Sequence, residues 1–181
     1  QEPAAPRPPV ASHILTSDQA SAMARILPAL EKRAFQTFLL EGVTGSGKTE
    51  IYLKAAEAAR DRGLQTLYLV PEIALTPLLA GALRDRFGES LAVLHSGLSE
   101  GNRWEALQRI REGKVTLVLG TRSALFAPLP RLRLIVVDEE QDPSYYQTES
   151  PRYHARDGAL MRAKGLGAVV LLGSATPSLE A

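Results

Sequence analysis

Gly42-Val43-Thr44-Gly45-Ser46-Gly47-Lys48-Thr49 fits the spacing G-x-x-x-x-G-K-[ST] at every position. The chemistry open to such a run is the grip of a polyphosphate. Its glycines allow backbone angles that side chains forbid, so several N–H groups can close in on one anion. Lys48 supplies a point charge for the outer phosphates, and the Thr49 hydroxyl is an oxygen ligand for the magnesium ion that travels with a nucleotide. With Glu50, the next residue, these eight positions form the candidate nucleotide-binding set. A second cluster, Asp138-Glu139-Glu140-Gln141, follows four aliphatic residues. Asp138 would hold magnesium through water and Glu139 would polarise an attacking water, which makes Lys48, Asp138, Glu139 and Gln141 the candidate catalytic residues.

Both clusters need elements to position them. Phe38-Leu39-Leu40 reads as the end of a buried strand, and Ile51, Tyr52, Ala55, Ala56 and Ala59 recur at helical spacing, so the glycine run joins a strand to a helix N-terminus. There the helix dipole adds positive potential. Thr16 or Ser17 is placed to cap an earlier helix through Ala20, Met23, Ile26 and Leu27. Further aliphatic runs predict strands at Thr66–Val70, Leu91–Leu94, Val115–Leu119, Leu134–Val137 and Ala168–Leu172. Helices are expected from Pro77 to Phe87, with Leu78, Leu79, Ala82, Leu83 and Phe87 facing the core, and through Trp104, Leu107 and Ile110. Continuous rather than alternating aliphatic runs imply strands covered on both faces. The expected fold is an α/β three-layer α/β/α sandwich with a mainly parallel sheet, its polar clusters gathered at the carboxyl ends of the strands.

The chain of 181 residues suffices for one domain with a substantial core, and its hydrophobic fraction of 45% is that of an ordinary globular protein. It has no cysteine, so disulfides and thiolate zinc sites are excluded within it. No apolar run reaches the roughly 20 residues of a membrane span, and a cytoplasmic location is expected. A net charge of +1 leaves any nucleic-acid contact to local patches. Residues 1–13, with Pro3, Pro6, Pro8 and Pro9, read as a linker or tail, and 14–181 as the folded unit.

In order, Gly42 to Thr49, Pro71-Glu72-Ile73-Ala74-Leu75-Thr76, His95-Ser96-Gly97-Leu98, Gly120-Thr121-Arg122-Ser123-Ala124-Leu125-Phe126-Ala127-Pro128, Asp138 to Gln141 and Gly173-Ser174-Ala175-Thr176-Pro177 resemble the motifs of superfamily-two helicases. More narrowly, with Arg152-Tyr153-His154-Ala155-Arg156-Asp157, they resemble the first RecA-like lobe of the bacterial primosomal replication-restart helicases. The resemblance covers Leu15 to Ala181.

It implies a RecA-like P-loop NTPase lobe that uses ATP and Mg2+, and a full-length DNA helicase acting on single-stranded and branched fork DNA. Primosome and single-strand-binding proteins would be its partners. Gln19 would read the adenine edge, the alternative being a solvated helix residue. Ser174 and Thr176 would sense the γ-phosphate, or else form a plain strand-ending turn. Thr76, Thr121, Arg122 and Ser123 would touch a DNA strand, Arg122 being otherwise a surface arginine. Tyr145, Tyr146 and Tyr153, with Arg152 and Arg156, would carry DNA on an aromatic loop. The alternative for the tyrosines is to cap the core edge. His154 has no other His or Cys within ligand spacing and reads as a capping or packing residue.

Two positions depart from the pattern. Gln141 stands where the family has His, and Ser150-Pro151 where it has Gly-Trp. They keep a second reading open: a scaffold of the same fold that binds DNA and nucleotide without productive unwinding. A small-metabolite kinase lacks an evident lid or acceptor site. The second lobe and the zinc-binding insertion fall outside this chain, so the isolated chain is expected to be monomeric, zinc-free and near inactive.

Overall fold

The computed structural model describes residues 14–43 and 45–175. The expected linker (1–13), Thr44 and Thr176 lie outside them. In chain order the elements are α1 (Ser17–Glu31), β1 (Gln36–Glu41), α2 (Lys48–Asp61), β2 (Gln65–Leu69), α3 (Pro77–Phe87), β3 (Leu91–Leu94), α4 (Glu100–Arg111) and β4 (Leu117–Gly120). They continue with β5 (Leu132–Val137), β6 (Tyr146–Gln147), β7 (Tyr153–His154), α5 (Ala155–Leu166) and β8 (Val169–Ser174).

Six strands form one sheet in the order β1-β8-β5-β2-β4-β3, every neighbouring pair parallel. Parallel pairing puts both sheet faces under helices, and the inward positions alternate accordingly. Tyr68, Leu119, Val136 and Leu171 point into a core shared with Ile26 of α1, Tyr52 and Ala56 of α2 and Leu83 and Phe87 of α3. Leu67, Leu69, Val118, Ile135 and Val170 point the other way, into a core shared with Ile110 of α4 and Ala155, Ala159 and Ala163 of α5. The α/β/α sandwich expected from the aliphatic runs is the fold observed.

Several local expectations are corrected. The first strand is not buried on both faces, because among the described residues β1 pairs with β8 alone at the sheet edge, and Leu39 is 37% exposed. On α3 only Leu83 and Phe87 are buried; Leu78 and Ala82 face outward. Trp104 of α4 is likewise exposed. The antiparallel pair β6–β7 and helix α5 were not foreseen within the polar stretch after the acidic cluster.

Thr16, not Ser17, caps α1. Its side chain accepts from Gln19 N at 3.3 Å, and the Gln19 side chain accepts in return from Thr16 N at 2.9 Å.

Candidate nucleotide site

The strand order explains why motifs remote in sequence meet. Adjacent strands β1, β8 and β5 end, respectively, in the glycine loop, in Ser174 and in Asp138. The loop is tied to the sheet by Gly42 N donating to Ser174 O at 3.1 Å. Gly47, at φ 90°, turns the chain into α2, and a Cβ there would lie 2.3 Å from Gln19 Nε2. Only glycine meets both conditions.

A cavity of about 550 Å³ opens at this point, lined by Gln19, Gly45, Gly47, Lys48, Thr49, Glu50, Asp138 and Glu139. The structure thus gathers most of the expected nucleotide and catalytic residues around one space. Gly42, Val43 and Ser46 belong to the loop but not to this lining, and Gln141 also lies outside it. Lys48 is buried, and its ammonium donates to Gly42 O and to Val43 O. Gln19 donates to Gly47 O at 3.1 Å, so its amide braces the loop as well as capping α1. Glu50 is held by Arg86 at 2.9 Å, and Arg86 also reaches Glu57.

Beneath the acidic cluster lie three tyrosines. Tyr52 donates to Asp138 Oδ1 at 3.1 Å and packs edge-to-face on Tyr68, ring centroids 5.6 Å apart. Tyr145 donates to Asp138 O at 2.5 Å and to Leu69 O at 3.1 Å. Burial, reinforced by the neighbouring Asp138 charge, pushes all three phenols well above their usual range, so they act as donors. Burial also pushes the Asp138 carboxyl up; the Tyr52 hydrogen bond opposes that shift, and the Glu139 charge adds to it.

Glu139 has φ 48°, a left-handed backbone unusual for a glutamate. Its carboxylate accepts from Gln141 Nε2 at 2.8 Å, while Ser174 Oγ donates to Gln141 Oε1 at 2.8 Å. Gln141 therefore spans β5 to β8, using both halves of a neutral amide.

The residues assigned to DNA separate into two groups. Thr76 is exposed and caps α3 through Leu79 N; Ser123 and Arg152 are exposed. Tyr146 is 48% exposed beside His154, and half-buried Tyr153 meets the exposed ring of Phe126 edge-on, centroids 5.2 Å apart. Phe126 was missed because it reads as one more apolar residue of its block. Thr121 is buried, and half-buried Arg122 donates to Ser144 O and Tyr146 O, bracing the loop. His154 caps α5, its Nδ1 accepting from Arg156 N.

Two assignments are overturned. Tyr145 is fully buried and offers no face to a base. Arg156 is buried and paired to Glu140 at 3.1 Å and Asp157 at 3.0 Å, so it does not reach toward a phosphate.

A three-layer parallel sandwich whose glycine loop and acidic turn share one cavity has the architecture of a P-loop lobe. A family model of DEAD/DEAH box helicases matches residues 16–181, and the chain belongs to that family. It is 48% identical over 166 residues to the replication restart protein PriA of Bacillus subtilis (strain 168), covering 92% of this chain and 21% of that protein. To PriA of Chlamydia pneumoniae it is 50% identical over 173 residues, covering 95% and 23%. The chain thus spans about a fifth of the length of these relatives. Among solved structures it is similar to RecG bound to a three-way DNA junction (TM-score 0.62, 21% identity, 91% of this chain and 21% of that one). The Pyrococcus furiosus Hef helicase domain matches with TM-score 0.62 and 21% identity, over 89% and 33%. At that identity these structures support the fold alone.

Proposed function

We propose that residues 14–181 are the ATP-binding first motor lobe of a replication-restart DNA helicase, preceded by a linker at 1–13. The observation that carries the reading is the convergence of Lys48, Thr49, Asp138 and Glu139 on one cavity at the carboxyl edge of the sheet. Gln19 would hold the adenine and the glycine loop the phosphates. Among the described residues no group of three or more His, Cys, Asp or Glu side chains could hold a metal by itself. Mg2+ prefers few protein oxygens plus nucleotide phosphates, and it would be held by Thr49 and, through water, by Asp138. When bound, the ion would neutralise charge on the transferring phosphate. Glu139 would take the proton of the attacking water, and Gln141 would orient Glu139 and read Ser174.

DNA would lie along the other half of the strand ends, over Thr76, Ser123, Tyr146, Arg152 and Tyr153. A second cavity of about 400 Å³, lined in part by Thr76, His95, Ser96 and Thr121, occupies that half. In the full-length protein the substrates would be single-stranded and branched fork DNA, and primosome and single-strand-binding proteins would be partners. A cytoplasmic location belongs to the same reading; no described helix is long and apolar enough to cross a membrane. The two hydrogen bonds of Gln141 favour a working site over an inert scaffold. The isolated chain would hydrolyse ATP near background, because the transition state would lack the arginine that a second lobe supplies.

Calorimetric titration of Mg-ATP and Mg-ADP tests the reading. Binding is expected, and Lys48→Ala should weaken it by at least about tenfold through the lost charge-assisted contacts. Equal binding by both proteins would refute the assignment of the loop.

A further inference from the structure

The aromatic loop is fastened to the acidic turn at both of its ends. At its start, Tyr145 is buried with its hydroxyl on Asp138 O, while the next residue, Tyr146, is exposed. At its end, His154 lies beside Tyr146, and two residues on, Arg156 pairs with the fully buried Glu140. Glu140 N in turn donates to Gly173 O at 2.9 Å. Between these anchors the chain runs out as β6 and back as β7. Glu139 sits between the two anchored residues, in a left-handed conformation that persists only where its surroundings over-determine it.

We propose that Tyr145 and Arg156 are positioning residues for ATP hydrolysis, pinning the Asp138–Gln141 turn, and with it Glu139, from the two ends of the aromatic loop. Neither touches DNA or nucleotide. The backbone also joins the turn to the loop, with Asp142 N donating to Glu139 O at 2.9 Å. The inference rests on the reading of the site as a DNA-coupled ATPase.

The test is steady-state ATP hydrolysis by the full-length protein with single-stranded DNA, together with DNA affinity by fluorescence anisotropy. Wild-type protein without DNA-stimulated turnover would overturn that reading, and this inference with it, before any variant is compared. Given stimulated turnover, Tyr145→Phe and Arg156→Ala should each lower kcat by about tenfold or more, as expected for a displaced catalytic group. KM for ATP and the Kd for DNA should stay within about twofold. Arg156→Lys, which keeps the charge, should recover part of the loss. Unchanged kcat, or weakened DNA binding at unchanged kcat, would overturn the inference. Should Tyr145→Phe fail to fold, Arg156→Lys against Arg156→Ala decides it on the same readouts.

Discussion

Replacing Glu139 by Gln in the full-length protein is expected to lower DNA-stimulated ATP turnover by about 10²- to 10⁴-fold, the range lost with a general base. Mg-ATP binding should survive. Glu139 and Gln are close in shape, and the incoming amide oxygen can still accept the 2.8 Å hydrogen bond from Gln141. The left-handed backbone at 139 is asked of either side chain alike. The substitution therefore removes basicity with little else. Steady-state hydrolysis and nucleotide titration on one preparation separate the two effects. Turnover within a few-fold of wild type would mean that another group activates the water.

Gly173→Ala is the second large effect, and it acts through a spacer rather than a reactive group. A Cβ at 173 would lie 1.6 Å from Tyr52 Oη, 2.9 Å from its Cζ and 3.0 Å from Asp138 Oδ1. The far end of a side chain can often swing clear of such a clash. Tyr52 cannot, since its ring is fully buried and packed on Tyr68. Forcing atoms into a filled interior costs about 1–3 kcal/mol. For a domain of this size that corresponds to a fall in Tm of about 6–12 °C at the upper end of the cost. The same displacement would separate Tyr52 from Asp138 and weaken Mg-nucleotide binding. Adding Tyr52→Phe removes the clashing oxygen and should restore much of the thermal stability but not the Asp138 contact. A double variant as unstable as Gly173→Ala would show that the ring, not the hydroxyl, is the obstacle.

What could be read from the sequence was what is local. The glycine run and Asp138-Glu139 each follow an aliphatic strand within a few residues, so their place at strand ends is written next to them. The tyrosines of the aromatic loop show where that stops. Tyr145 and Tyr146 are adjacent and chemically identical, yet one is a core pillar and the other is open to solvent. A short irregular turn has no period to distinguish them. Tyr52, Tyr68, Gly173 and Asp138 form one contact cluster although they lie on four separate elements, and no spacing rule joins them. Helix α5 was hidden because its buried face is alanine and its sequence carries Gly158 and Gly165, both poor helix formers. Leu39 read as core because an aliphatic run looks the same at the edge of a sheet as at its centre.

The sheet order has a consequence for how the molecule is made. Gln36 of β1 pairs with Val169 of β8, and β8 separates β1 from β5. The strand that precedes the glycine loop is therefore made well before β8, its neighbour in the sheet, which follows every other strand of that sheet in the chain. Closing so long a loop is slow, and contacts of such high sequence separation form late. Insertion of β8 brings the loop, Ser174 and Asp138 together in one event. On the proposed reading, nucleotide binding would report on that late step, and a chain stalled before it would hold its phosphate loop on a strand without its β8 neighbour.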